Sequence, residues 1–432
     1  MVAVYFLYSV LLAAVFVLGA PYWLVQMARL GKYRAGLRER FGGVPDRIRS
    51  ARGRTVWVHA VSVGEVLAIS KLVEELRKRY VRVLISTTTH TGQKLARERF
   101  GEKNVFYFPI DFAFASRAYM RALKPELVVV AETEFWPNFL RTAKESGAQV
   151  AVVNARISDR SRPRYERFRS TLRGVLKNVD LFLAQSEEDA WRLTAIGADA
   201  SRVKVSGNLK FEVRAPQDVA FVRRLREAIV STGTGPVIVA GSTVEGEEDI
   251  VLKAFAALVK AYPNALLVLA PRHKERFETV AAMLRQSGVT WTRRSHWEET
   301  SHELPGSVLM LDSIGELAGV YAIADVAFVG GSLVPRGGHN ILEPAQAGLA
   351  IIVGPHTENF RDIIAIFSRA KAVQIVRPEE FTAALLALLN SDAERKLLGE
   401  RAREVLRSQQ GATERTITAL EALTAGKTAV RG

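Results

Sequence analysis

From residue 55 onward, short apolar runs alternate with longer amphipathic stretches. One series of strand-like runs comprises Thr55–Ala60, Val81–Ile85, Val105–Phe108, Leu127–Ala131, Gln149–Val153, Leu181–Ala184 and Val203–Val205. A second comprises Pro236–Ala240, Ala265–Ala270, Val308–Leu311, Val326–Val329, Ala350–Val353 and Val373–Val376. Helical periodicity lies between most of them, as in Val66–Tyr80 and Glu247–Lys260. Strand, helix, strand repetition predicts parallel sheets covered by helices on both faces. The series part near residues 212–220, where Ala215-Pro216 punctuates the chain. With 432 residues, too many for one core, the chain reads as α/β, with two doubly wound domains over residues 29–215 and 216–432. Ligands are expected in a cleft at the carboxyl ends of the strands.

The first thirty residues break this pattern. Val2 to Ala28 carry no charged side chain, and Tyr22 and Trp23 close the most apolar part. Roughly 20 helical residues cross a bilayer core, so residues 1–28 are expected to be a membrane anchor. A cleaved signal peptide is the alternative, with Leu18-Gly19-Ala20 resembling a cleavage site. No basic residue precedes the apolar run, however, whereas nine Lys/Arg lie between Arg29 and Arg54 against Glu39 and Asp46. By the positive-inside rule this places a single pass in the inner membrane and the body in the cytoplasm.

The net charge of +15 favours an anionic partner. Without zinc-finger spacing or an aromatic RNA-binding signature, a membrane surface is expected rather than nucleic acid. The absence of cysteine excludes disulfides and thiolate catalysis.

Chemistry gathers at the strand ends. The first predicted strand exits through Val61-Ser62-Val63-Gly64-Glu65 into a helix. Glu65 there is either the third residue of a capping box begun by Ser62 or a general base. The helix dipole favours its ionised form. Glu132 and Glu134 follow the fourth strand, Asn154-Ala155-Arg156 the fifth, and Gly207-Asn208-Leu209-Lys210-Phe211 the seventh. In the second half, the turn Gly241-Ser242-Thr243 before Glu245-Gly246-Glu247-Glu248 is able to hold a phosphate, but it is no Walker A loop. Pro271-Arg272-His273 and Ile314-Gly315-Glu316-Leu317 come next. The densest stretch runs from Gly330-Gly331-Ser332 through Arg336-Gly337-Gly338-His339-Asn340 to Glu343. No Asp-x-Asp motif stands at a strand end.

Taken in order, these segments resemble the 3-deoxy-D-manno-oct-2-ulosonic acid (Kdo) transferase family. The resemblance rests on residues 59–65, 132–138, 154–156, 207–211, 271–273, 315–317, 328–343 and 354–360. It implies the GT-B fold and inverting transfer of Kdo from CMP-Kdo to lipid IVA, without a metal cofactor. It implies Glu65 as base, with Glu132 and Lys210 supporting the transition state. It implies CMP contacts at Pro271, Arg272, Ile314, Gly315, Glu316, Asn340, Ile341, Leu342 and Glu343. Pro335 and Ile341 depart from the commoner Glu and Pro of that family, which bears on donor affinity. A nucleotide-sugar epimerase of the same architecture and a non-enzymatic protein binding anionic lipid are the competing readings.

Overall fold

The computed structural model describes residues 2–30, 36–49, 53–158, 161–212, 220–297 and 303–431. The chain forms two compact units. The first contains β1 (Thr55–His59), β2 (Arg82–Thr87), β3 (Val105–Tyr107), β4 (Leu127–Ala131), β5 (Gln149–Ala155), β6 (Leu181–Ala184) and β7 (Val203–Val205). They pair in parallel in the order β3-β2-β1-β4-β5-β6-β7. β1 and β4 are buried along their whole length, because helices cover both faces of the sheet. Trp57, Val128 and Phe139 build the core on one face, and Val56, Val58 and Val129 build it on the other. Strand order reverses direction between β1 and β4, and the carboxyl ends flanking such a switch are where doubly wound sheets bind ligands.

The second unit repeats the plan with β8 (Val237–Thr243), β9 (Leu266–Pro271), β10 (Trp291–Arg293), β11 (Ser307–Met310), β12 (Val326–Val329), β13 (Ala350–Val353) and β14 (Gln374–Ile375). Its order is β10-β11-β9-β8-β12-β13-β14, again parallel, with the switch between β8 and β12. Thirteen strands match the hydrophobic runs; β10 does not. It is a three-residue edge strand of intermediate burial, so its Thr-Arg pair leaves no apolar run to read.

The domain expectation differs from the structure at the tail. The expected boundary at residue 215 falls outside the described residues. Beyond it, residues Gln410–Gly432 belong to the first unit, not the second. The helix Ala412–Arg431 buries Ile417 and Leu420 in the first unit's core. Each such side chain stabilises by about 1.5–3 kcal/mol. Arg415 Nε donates to Ser206 O at 2.8 Å, and Arg79 pairs with Glu421 at 2.7 Å. An amphipathic helix does not record in its own sequence which sheet it covers.

α1 (Val2–Leu30) contains a stretch, Val4–Trp23, long and apolar enough to cross a membrane. One side of it packs on the first unit. Asn178 Nδ2 donates to Tyr5 Oη at 2.8 Å, and Asn138 Nδ2 to Ser9 Oγ at 3.1 Å. The Phe16 ring meets Phe41 and Phe112 at 5.3 and 6.1 Å. The other side exposes Phe6, Leu11, Val17 and Leu18.

Candidate functional site

In the first unit, Ser62 caps the helix Val63–Ala68 by accepting from Glu65 N. The Glu65 carboxylate turns back on the loop. Oε2 accepts from Val61 N at 2.7 Å and Oε1 from Ser62 Oγ at 3.0 Å. Both readings of the spacing therefore describe one residue: it belongs to the cap, and it lies at the carboxyl end of β1. The residue is 7 % exposed. Burial pushes its carboxyl up to about 7, the Val61 N–H opposes this, and Glu132 and Glu134 push it further up. Desolvation therefore works against the helix dipole and the hydrogen bonds that favour the ionised form. The outcome is a carboxyl poised near neutrality, which suits a general base.

Glu132 directly follows β4 with φ 54, in the left-handed region. A non-glycine residue pays roughly 1–2 kcal/mol for that conformation, and such strain clusters at functional sites. The bend brings Glu132 Oε1 to 2.8 Å from Lys210 Nζ, an ion pair off the hydrogen-bonding direction. Burial, then Glu132, push the Glu134 carboxyl up. Three carboxylates thus stand near one another, and Lys210 is paired with one of them.

Asn154 braces the turn that carries Lys210. Asn154, also left-handed at φ 54 and fully buried, accepts from Leu209 N at 2.9 Å through Oδ1. Asn208 Oδ1 accepts from Lys210 N at 2.9 Å. Sequence reasoning noticed Asn154 as part of a strand-end motif but missed this positioning role. His59 is wholly buried and stacked on Phe108 at 3.8 Å. Burial lowers its imidazole to about 3, so it is neutral packing.

The second unit groups the expected nucleotide contacts in two places. Arg272 is exposed just beyond β9 and its backbone N–H donates to Thr243 O at 2.9 Å. Burial pushes the Glu343 carboxyl up and the Arg272 charge opposes this. Burial, then Arg272 and His273, lower the His339 imidazole to about 4. Arg272, His339 and Glu343 therefore share one electrostatic neighbourhood, which the sequence list had only partly joined. Asn340 Oδ1 accepts from Leu342 N at 3.1 Å. The Ile341 and Leu342 side chains lie in the protein interior. Pro271 is buried in the sheet, beside Thr243.

The other place is the turn after β11. Gly315 has φ 92, which excludes most side chains, and Ile314 is exposed. Glu316 does not stand free. Arg294 grips it in a two-pronged pair, 2.9 Å on each side, and the Arg294 guanidinium sits 3.9 Å over the Phe221 ring.

Comparison with known proteins follows the same division. Residues 35–213 match the family described as 3-Deoxy-D-manno-octulosonic-acid transferase (kdotransferase), and residues 245–405 match glycosyl transferases group 1. The chain is 37% identical to the 3-deoxy-D-manno-octulosonic acid transferase of Bordetella pertussis, over 92% of this chain and 95% of that one. It is 34% identical to the Haemophilus influenzae protein of the same name, over 90% and 92%. Among solved structures, Acinetobacter baumannii MurG superposes with a TM-score of 0.53 at 14% identity, covering 86% of this chain and all of the other. That last likeness is one of fold.

Proposed function

Because the chain belongs to the 3-deoxy-D-manno-octulosonic acid transferase family, and so is a glycosyltransferase of GT-B fold in lipopolysaccharide biosynthesis, we propose that it transfers Kdo from CMP-Kdo to lipid IVA. The observation that carries this reading is Glu65, a carboxyl raised to about 7 beside the strained, lysine-paired Glu132. In this reading Glu65 takes the proton from the attacking acceptor hydroxyl. The hydroxyl oxygen bonds to the anomeric carbon of Kdo, whose bond to the phosphate oxygen breaks, and CMP leaves with the electron pair. Attack opposite the leaving group inverts the anomeric centre.

Lys210, on a turn braced by Asn154 through Leu209 N, supplies fixed positive charge, and Glu132 holds that charge in place. On the nucleotide side, Arg272 pairs with the phosphate, Glu343 accepts ribose hydroxyls, and backbone groups of Ile314–Glu316 and Asn340–Leu342 frame the nucleoside. Pro271 sets the exit of β9 from which Arg272 projects. We assign no metal to this chemistry; CMP carries a single phosphate, and side-chain cations suffice for it.

For location, we place α1 as the anchor in the inner membrane and the body on its cytoplasmic side. The exposed apolar side of α1 and the exposed Arg38 support membrane contact, whereas Arg47, Arg49 and Arg54 are paired with Glu39, Asp46 and Glu126.

Mass spectrometry of lipid IVA incubated with CMP-Kdo and the detergent-solubilised protein tests the assignment. Kdo adducts are expected with no added divalent cation and in the presence of a chelator. Absence of any adduct, with CMP-Kdo left intact, would overturn it.

A further inference from the structure

Glu247 is fully buried, and neither the sequence motifs nor the proposed chemistry uses it. It stands at the N-cap of the helix Glu248–Ala261, yet its side chain makes no capping bond to that helix. The carboxylate points instead into the switch between β8 and β12, where it accepts four backbone N–H groups. Oε2 takes Val244 N at 3.1 Å and Gly331 N at 2.7 Å. Oε1 takes Ser332 N and Leu333 N, both at 2.9 Å.

Three consecutive N–H groups converging on an anion form the kind of concavity that doubly wound sheets offer to a ligand phosphate. Here an internal carboxylate already fills it. A phosphate is kept out by the missing donors and by charge repulsion. Val244 N, the next donor after the turn Gly241-Ser242-Thr243 that was read from sequence as a phosphate cradle, is also taken by Glu247.

The packing around Glu247 leaves no slack. A Cβ on Gly330 would lie 2.7 Å from Glu247 Oε2 and 2.6 Å from Ser242 O, and one on Gly354 would lie 2.1 Å from Ser332 O. From this point the order propagates outward. Ser332 Oγ accepts from Gly354 N at 2.8 Å, and Ser332 O accepts from His356 N at 3.0 Å. Gly331 O accepts from Gly338 N at 2.7 Å, and Gly337 O accepts from Asn359 N at 2.9 Å. The loops carrying Arg336–Asn340 and Gly354–Phe360 are thus both hung from one carboxylate.

We propose that Glu247 is a positioning residue for nucleotide binding: it occupies the backbone anion site at the β8–β12 switch, shapes the loop that presents His339 to Glu343, and leaves the donor phosphate to be read by side chains such as Arg272. This rests on the second unit being the nucleotide-binding half, as proposed above.

Glu247→Gln is the sharp test. An amide must turn its NH2 toward two of the four N–H donors, whichever way it flips, so two bonds are lost and two donors clash. With the full-length protein in detergent, calorimetric titration is done first on the unaltered chain with CMP, UMP and UDP. Binding of UMP or UDP but not CMP overturns the donor assignment and leaves Glu247 to be tested with the nucleotide that binds; binding of none overturns both. For folded Glu247→Gln, the Kd of the nucleotide and the KM of the donor are expected to rise about 10–100-fold. The acceptor KM and the kcat at saturating donor stay within about twofold. Unchanged nucleotide affinity, or an equal loss toward both substrates, overturns the proposal. Should that variant not fold, Ser332→Ala removes only the hydroxyl that accepts Gly354 N. A smaller rise in donor KM alone is then expected, and an unchanged donor KM overturns the proposal.

Discussion

The two sheets share one topology, but their switch points treat negative charge in opposite ways. At the β1–β4 switch, Glu65, Glu132 and Glu134 are crowded together, and burial pushes both Glu65 and Glu134 up. At the β8–β12 switch, Glu247 is buried more completely yet satisfied by four N–H groups. In the same unit Glu316 is matched by Arg294. Burial alone therefore does not make a carboxylate reactive; what matters is whether its charge is compensated. One switch keeps a carboxyl raised toward neutrality, and the other surrounds its carboxylate with backbone donors.

The largest effect that would break this contrast is at Glu65. Glu65→Gln should cut kcat by about 10²–10⁴-fold while CMP binding stays nearly unchanged, as measured by steady-state kinetics and titration. Near-normal turnover would remove Glu65 from its role. Lys210→Ala comes next, with an expected fall of about 10–10²-fold in kcat, because it uncovers Glu132 and removes the fixed cation.

The pH profile sharpens the comparison. The log of kcat/KM should rise with pH and level off around an apparent value of about 7, the range to which the Glu65 carboxyl is raised. Glu134→Gln removes a negative neighbour, so this limb should move to lower pH. A limb that stays in place would exclude coupling between the two carboxyls. The stability sign follows from the same shift. Between about 4.5 and 7 the folded state binds more protons at Glu65 than the unfolded state, so this group's contribution to stability falls as pH rises. Chemical denaturation of the unaltered protein against Glu65→Gln across that window reads it.

Arg272→Ala should weaken CMP by about tenfold without moving the acid limb. The smallest effect on chemistry is expected from deletion of residues 2–28. Turnover on detergent-dispersed acceptor should persist and membrane partition should be lost. The melting temperature should also fall, because deletion strips the partners of Asn138 and Asn178 from the first unit. Unchanged partition would exclude α1 as the anchor.

Much of the architecture was legible. Eleven of the thirteen recognised strands are almost wholly buried, and a strand buried on both faces must be apolar throughout, whatever its neighbours. β7 and β14 are more exposed edge strands but keep apolar residues, whereas in edge strand β10 Thr292 and Arg293 leave no apolar run to read. The candidate site was legible as a set of strand-end motifs, since polar residues at the ends of apolar runs have few structural roles there. Their individual roles were less so. His339 and Glu343 share one dense stretch, but nothing in the spacing joins Arg272 to them. Glu316 was named as a contact, and only the fold pairs it with Arg294.

By itself, the sequence determined the parallel α/β plan, the apolar N-terminal helix and the residues gathered at strand ends, because each follows from local periodicity and composition. Tertiary structure decided the rest. It returned the C-terminal helix to the first unit, where the core had room for Ile417 and Leu420. It raised Glu65 against its own helix dipole, since desolvation depends on everything packed around a group. And it turned the Glu247 side chain, at the start of a helix, onto a distant loop, since a hydrogen bond across 84 residues or more leaves no trace in local spacing.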